Sequence, residues 1–171
     1  MEAGKIKIDN LKGLVLDQIT SNNPDVLVGP KVGEDSAIID FGEFVAVMST
    51  DPITGVQEGM GSLAVNVACN DIAANGAKPI GIQQALLVPP ETKEDEVVAI
   101  VEDINDVAQK LEIDVLGGHT EVTDIVKQPL VSCTAIGKTS KDKFVTSSDA
   151  EIGDEIIVTK WTALEGTSIL A

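Results

Sequence analysis

Carboxylates occur at three places along this chain where one segment ends or another begins. They lie in Gly33-Glu34-Asp35-Ser36-Ala37, in Ser49-Thr50-Asp51-Pro52 and in Asn70-Asp71-Ile72-Ala73-Ala74-Asn75-Gly76-Ala77. A fourth stretch, Gly117-Gly118-His119-Thr120-Glu121, places polar side chains after two glycines. Mg²⁺ takes oxygen ligands, usually a few carboxylates and substrate phosphates, and glycine lets backbone N–H groups approach an anion closely. The pattern predicts a Mg²⁺–nucleotide site assembled from segments spread along the chain.

Length and composition limit the fold and the partners. A chain of 171 residues fits one ordinary domain, or one domain and part of a second. Its apolar fraction of 43% is enough for a core, which must be aliphatic because aromatic residues make only 2% and tyrosine is absent. The formal charge of −16 argues against binding to nucleic acid or to an anionic membrane, since either would need a basic surface.

Cysteine usage and the N-terminus predict a soluble, cytoplasmic protein. Cys69 and Cys133 lack metal-ligand spacing and are interpreted as reduced core residues. The first residues have no apolar signal-peptide core, and no apolar run approaches the roughly 18 residues that a membrane helix needs.

Periodicity predicts the elements of the first half of the chain. Residues 5–19 carry apolar side chains three or four apart, so the second half of this segment should be helical. Two short apolar runs, 37–39 and 44–48, should be strands around a hairpin-like break at 41–43. Residues 62–75 should form a helix with Ser62 as N-cap and Gly76 just beyond its end.

The second half predicts strands at 80–88, 113–116 and 130–136, and a helix through 97–111 that follows a capping box at 92–95. A polar linker at 138–150 precedes a new strand at 156–159 and a helix-like run at 162–171. The expected organisation is an N-terminal nucleotide-binding domain over 1–150 and the start of a truncated second domain over 151–171. The expected fold class is α+β, a mixed or antiparallel sheet with helices on one face.

The four motifs resemble those of the aminoimidazole ribonucleotide (AIR) synthetase, or PurM-like, superfamily in order and spacing, from about residue 29 to 137. The resemblance implies an N-terminal domain whose sheets pair across a dimer into a shared barrel, with ATP and Mg²⁺ at the subunit junction. It also implies a longer protein, because residues 153–159 resemble the beginning of the family's second domain.

Missing features separate the members of the superfamily. The chain lacks the Gly-Val-Gly-Thr-Lys of the purine cyclo-ligase and the Val-His-Phe of thiamine-monophosphate kinases. It also has no cysteine before Cys69, whereas selenophosphate synthetases carry a reactive cysteine or selenocysteine in an N-terminal loop. It therefore most resembles the HypE-type hydrogenase maturation factor or an unassigned AIR synthase-related protein.

The resemblance assigns roles to individual residues. Asp51 and Asp71 are expected to bind Mg²⁺, and Asp35 to bind a second Mg²⁺ or, with Glu34, to orient phosphates. Gly117 and Gly118 are expected to form a turn that presents backbone N–H groups to phosphates. Other nucleotide contacts are expected from Gly33, Asn70, His119 and Thr120, and an alternative metal ligand from Glu121. Lys31 and Lys78 are the basic residues nearest the motifs, and they either neutralise phosphate charge or are ordinary surface lysines. A turn-forming Asp-Pro at 51–52, a solvated acid at 71 and a simple strand-end turn at 117–118 remain alternatives.

The expected function is an ATP- and Mg²⁺-dependent ligase- or dehydratase-type enzyme that activates an amide or thiocarboxamide oxygen by phosphoryl transfer, as HypE-like proteins do. Alternatives are a thiamine-monophosphate kinase-like or cyclo-ligase-like enzyme, or a non-catalytic dimeric nucleotide-binding relative. The expected partners are a nucleotide, a small-molecule or peptide substrate and a second copy of the chain. No catalytic residue is assigned, and His119 stands where several relatives have an acid.

Overall fold

A computed structural model describes residues 3–56, 58–158, 161–163 and 167. They form a six-stranded sheet with three α-helices, which confirms the predicted α+β class. The helices are α1 (Ile8–Leu14), α2 (Met60–Ala74) and α3 (Glu94–Leu111). The strands are β1 (Val26–Val28), β2 (Ser36–Asp40), β3 (Phe44–Ile53), β4 (Lys78–Val88), β5 (Asp114–Val122) and β6 (Leu130–Ser140).

The strands lie in the order β1-β2-β3-β6-β4-β5. Neighbours are antiparallel except β4 and β5, which are parallel. Parallel neighbours need a long crossover, and α3 supplies it between these two strands. β5 lies at an edge of the sheet, and all nine of its residues are exposed.

The core lies between the sheet and α2, because β3 and β6 turn alternate residues toward that helix. Glycine allows the close approach at Gly137, where a Cβ would lie 2.3 Å from the side chain of Ile72. Gly61 likewise allows α2 and α3 to pack closely, since a Cβ at this position would lie 2.4 Å from the Ile100 carbonyl oxygen. The opposite face of the sheet, here called the open face, carries half-buried and exposed side chains at alternate positions, including Met48, Thr50, Ser132 and Thr134.

The predicted cap of α2 is wrong. The helix begins at Met60, with Gly59 as N-cap in a left-handed conformation (φ 70°), which glycine adopts without a Cβ clash. Ser62 lies inside the first turn, where its carbonyl accepts a hydrogen bond from the Asn66 side chain. The capping box of α3 is displaced by one residue, because the Glu96 carboxylate accepts from the Lys93 N–H at 2.8 Å.

The predicted turn at Gly117-Gly118 is also wrong, since both residues lie inside β5 opposite Gln83 and Gln84. A Cβ at residue 118 would lie 1.9 Å from the Gln84 carbonyl oxygen, and φ is +155° there. Gly118 therefore permits close pairing of two strands, whereas a Cβ at Gly117 would contact nothing within 4 Å and its φ of +136° is what favours glycine there.

The segment interpreted as a linker is partly ordered, because β6 continues to Ser140 and a 3₁₀ turn forms at Ser147–Asp149. Of the strand predicted at 156–159, residues 156–158 have no regular structure and residue 159 lies outside the described part. The helix-like run at 162–171 also falls mainly outside it.

Candidate functional site

Three side chains from β3 and α2 meet at the helix-covered face of the sheet. Ser49 and Asp51 are two residues apart on β3, so they point to the same side of the strand. The buried Ser49 hydroxyl donates to Asp71 Oδ2 at 2.8 Å, and its oxygen also lies 3.2 Å from the Asp35 carbonyl oxygen. Asp71 comes from the last turn of α2. Ser49 therefore fixes the Asp71 carboxyl beside that of Asp51.

The two carboxyl groups share one charged environment. Burial raises the pKa of Asp71 above its ordinary value, and the neighbouring Asp51 carboxyl raises it further. The Ser49 hydrogen bond and the Lys5 ammonium oppose this change by favouring the charged form of Asp71. Asp51 Oδ2 is buried without a hydrogen-bond partner among the described residues. A proton or a cation between the two carboxyls would reduce their repulsion and would give Asp51 Oδ2 a partner.

These two acids fit a Mg²⁺ ion better than a metal that needs a complete protein cage. Within the described ranges, no group of three or more His, Cys, Asp or Glu side chains is arranged to hold a metal. Mg²⁺ is commonly bound by one or two carboxylates together with phosphates and waters. Asp51 and Asp71 would hold it, and the phosphates would come from the nucleotide.

The Glu34 carboxylate is occupied by backbone groups. It accepts hydrogen bonds from the N–H groups of Ser148 at 2.9 Å and Ser147 at 3.2 Å, where the 3₁₀ turn begins. Lys31 adds two further contacts: its Nζ lies 3.8 Å from Glu34 Oε1 and donates a hydrogen bond to the Ser148 hydroxyl at 2.9 Å. Burial opposes ionisation of Glu34, but these hydrogen bonds and Lys31 lower its pKa on balance. Glu34 and Lys31 therefore anchor the segment after β6.

The other residues predicted in or beside the first and third motifs are all exposed. Gly33 has φ +88° and lies in the turn where the Glu34 N–H donates to the Lys31 carbonyl. Asp35 is exposed immediately before β2, and Asn70 is exposed on α2. Lys78 is exposed at the start of β4, opposite Lys138 of β6.

The Gly117–Glu121 motif lies away from the acid pair. Asp51, Cys133, Gln84 and Gly118 form one row across β3, β6, β4 and β5, so three strand spacings, about 14 Å, separate the outer two. His119 and Glu121 are on the open face, with Nε2 and Oε2 3.0 Å apart, because alternate strand residues point to opposite sides.

On that face, His119 borders a shallow depression of about 330 Å³ together with Gln83, Ser132 and Thr134. Thr120 occupies the alternate position of β5, on the side that faces the helices. One chain therefore does not bring the fourth motif to Asp51 and Asp71.

Two contributors to the site were not predicted as functional residues. Ser49 is within the Ser-Thr-Asp motif, and strand alternation could have identified it as the companion of Asp51. Lys5 lines a cavity of about 430 Å³ with Asp51, Pro52, Ile53 and Thr54. No local pattern places Lys5 there, because the contact joins residues far apart in sequence. A larger cavity of about 610 Å³ lies beside the beginnings of α2 and α3, and none of its lining residues was a predicted site residue.

No helix in the described residues is both long and apolar enough to cross a membrane.

Curated relatives match along almost the whole chain. A hydrogenase expression/formation protein of Methanocaldococcus jannaschii is 28% identical over 172 residues, covering 98% of this chain and 51% of the relative. A selenide, water dikinase of Carboxydothermus hydrogenoformans is 29% identical, covering 81% and 41%. The carbamoyl dehydratase HypE of Bradyrhizobium diazoefficiens is 24% identical, covering 81% and 42%. The chain thus spans about half the length of these relatives.

Solved structures share the fold. A structure of AaThiL complexed with AMPPCP and TMP superposes with a TM-score of 0.69 at 20% identity, covering 88% of this chain and 48% of that one. A HypE–HypF complex contains a chain with a TM-score of 0.58 at 25% identity, covering 66% and 38%. Residues 33–139, which contain all four motifs, match the family described as AIR synthase related protein, N-terminal domain. The chain belongs to that family.

Proposed function

We propose that this chain is the nucleotide-binding half of an AIR synthase-related enzyme, and that it binds Mg²⁺–ATP at Asp51 and Asp71. The observation that carries the proposal is the carboxyl pair itself, in which Asp51 Oδ2 has no partner among the described residues and Asp71 is held by Ser49. A buried, unpaired carboxylate oxygen is costly unless a ligand completes it. Such a site is consistent with the family to which residues 33–139 belong.

The proposed reaction is activation of an amide or thiocarboxamide oxygen by phosphoryl transfer, as the HypE-like resemblance implies. When bound, Mg²⁺ would neutralise charge on the transferred phosphoryl group. The chain's own contribution is positioning. Ser49 fixes the orientation of Asp71, and the helix-covered side of the sheet shields the acid pair from part of the solvent. No residue of this chain is proposed to touch the acceptor.

We further propose that a twofold dimer completes the nucleotide site. His119 and Glu121 lie on the open face and on the edge strand, three strand spacings, or about 14 Å, across the sheet from the strand that carries Asp51. A second copy packed on the open face would cover half-buried side chains such as Met48 and Ile136. Residues 117–121 of that second copy would then lie closer to the first chain. Light scattering at micromolar concentration should then give twice the chain mass, whereas a clean monomer would contradict this arrangement.

The domain boundary near residue 150 also remains a proposal. Apolar side chains beyond it are largely exposed, from 61% for Val158 to 109% for Ile152, and they include Trp161 at 77%. Contiguous exposed apolar residues of this kind favour cover by a further part of a longer protein.

Calorimetry with Mg²⁺ and AMPPCP, the analogue that resists hydrolysis, tests the nucleotide proposal. Asp51→Asn and Asp71→Asn keep side-chain size and remove the charge, so each should weaken Mg²⁺-dependent binding at least about tenfold, the loss expected on removing a charged metal ligand. Asp106→Asn, an exposed change on α3, is the matched control and should bind like the parent. If both site variants bind like the parent, the proposed function is wrong. Binding without phosphoryl transfer in the longer protein would favour the non-catalytic alternative.

A further inference from the structure

Lys5 is a cation that the chain itself places beside the acid pair. Gly4, Lys5 and Asp51 line one cavity of about 430 Å³, whose other walls are residues 52–54 and Val67. The Lys5 charge also acts on the Asp71 carboxyl. Lys5 thus shares a cavity with one proposed metal ligand and acts through its charge on the other, although 46 and 66 positions separate it from them in the sequence.

The segment that carries Lys5 is weakly held by the rest of the fold. Helix α1, which follows it, buries none of its residues, and Ile8 and Leu14 are more than half exposed. Gly4 has φ +114°, a conformation that other residues rarely adopt, and a Cβ there would contact nothing within 4 Å. The backbone conformation at Gly4 therefore lies directly before Lys5 where it enters the cavity. Because this segment buries few apolar side chains, little free energy opposes movement of Lys5.

We propose that Lys5 is a movable counter-ion of the nucleotide site, paired with Asp51 and Asp71 before Mg²⁺ binds and with a nucleotide phosphate afterwards. This inference rests on the proposed Mg²⁺–ATP site. A lysine suits the role because its ammonium is a compact charge on a flexible four-carbon stem with three rotatable donors. Mg²⁺ and the ammonium compete for the same carboxylates, whereas the phosphates that arrive with Mg²⁺ attract the displaced ammonium.

The competition predicts effects of opposite sign for one substitution. Lys5→Met keeps a long flexible stem and removes the charge. It should tighten binding of Mg²⁺ alone by about three- to tenfold, because the competing cation is gone. It should weaken binding of Mg²⁺–AMPPCP by a similar factor, because one phosphate contact is lost. Lys5→Arg keeps the charge and should remain close to the parent in both titrations.

The experiment is a pair of calorimetric titrations on the full 171-residue chain, one with MgCl₂ and one with AMPPCP in saturating Mg²⁺. Lys12→Met is the matched control, since Lys12 lies in the last turn of α1, outside the residues that line the cavity. It should leave both affinities unchanged. Thermal unfolding of each variant verifies that it is folded.

Each outcome separates this inference from the proposed function. If Asp71→Asn abolishes Mg²⁺-dependent binding while Lys5→Met matches the parent in both titrations, the nucleotide site stands and the Lys5 inference is overturned. If Lys5→Met shifts both affinities in the same direction, the exchange of partners is likewise wrong. If Asp51→Asn and Asp71→Asn both leave binding intact, the proposed function fails first, and the Lys5 inference fails with it.

Discussion

Replacing Ser49 with alanine removes the buried hydroxyl that holds the Asp71 carboxylate at 2.8 Å. A hydrogen bond to a charged group contributes about 1.5–3 kcal/mol to stability, and a bond between neutral groups about 0.5–1.5 kcal/mol. Asp71 is only half-buried, so water can replace part of the lost interaction. We therefore expect Ser49→Ala to lower the free energy of unfolding by about 1.5–2 kcal/mol at pH 8, the low end of the charged range.

The cost of Ser49→Ala should depend on pH with a defined sign. Burial and the Asp51 carboxyl hold the pKa of Asp71 above its ordinary value, and Ser49 favours the ionised form. The hydrogen bond therefore has its full charged strength above the native pKa of Asp71 and weakens as the pH falls through it. The difference in unfolding free energy between parent and Ser49→Ala should shrink toward the value of a neutral hydrogen bond at acid pH.

Urea unfolding of four chains measures these quantities in a double-mutant cycle: the parent, Ser49→Ala, Asp71→Asn and the double variant. Asparagine still accepts from Ser49 but carries no charge, so Ser49→Ala should cost about 1 kcal/mol less in that background. Ser132→Ala, a half-buried serine on the open face, is the control and should show no coupling to Asp71→Asn. Equal costs in the two backgrounds, or a cost at pH 8 below about 0.5 kcal/mol, the lower limit for a neutral bond, would refute the reasoning.

Three further predictions follow from other parts of the structure. Gly118→Ala should destabilise the chain by more than 2 kcal/mol in urea unfolding, or detach β5, because its Cβ would meet the Gln84 carbonyl at 1.9 Å; a parent-like stability would contradict the β4–β5 pairing. Burial raises the pKa of Cys69 to about 11 and of Cys133 to about 12, so neither thiol should react with iodoacetamide at pH 8.5 until guanidinium is added. Trp161 is the only tryptophan, and its emission should be red-shifted in this chain and blue-shifted in a longer protein whose added part covers it.

Periodicity was a sufficient guide to most elements of this fold. The apolar run at 44–48 and the alternation at 130–136 identified strands β3 and β6, and the spacing at 97–111 identified α3, because each pattern reports burial of one face. Helix starts were less predictable. Ser62 was predicted as the N-cap of α2, but the helix begins at Met60 after Gly59, and its first turn packs closely against α3 where Gly61 meets Ile100.

The acid pair could be predicted in part. Strand alternation puts Ser49 and Asp51 on one face, and the motif resemblance adds Asp71. The contribution of Lys5 could not be predicted, since it depends on how a weakly packed N-terminal segment crosses the end of β3. The same holds for Glu34, whose carboxylate has a structural role because it meets backbone N–H groups 113 and 114 positions away.

The separation of the fourth motif from the acid pair has a topological cause. Residues 117–121 were expected at the phosphates because a glycine pair usually marks a turn, but here Gly118 allows β5 to approach β4. The strand order β3-β6-β4-β5 then fixes a spacing of about 14 Å, whatever the side chains are. We propose that His119 and Glu121 serve the nucleotide bound at Asp51 and Asp71 of a second chain, which would place the complete four-motif site at a twofold interface. A monomer that binds nucleotide at full affinity would contradict this arrangement and would leave Asp51, Asp71 and Lys5 as the nucleotide site of one chain.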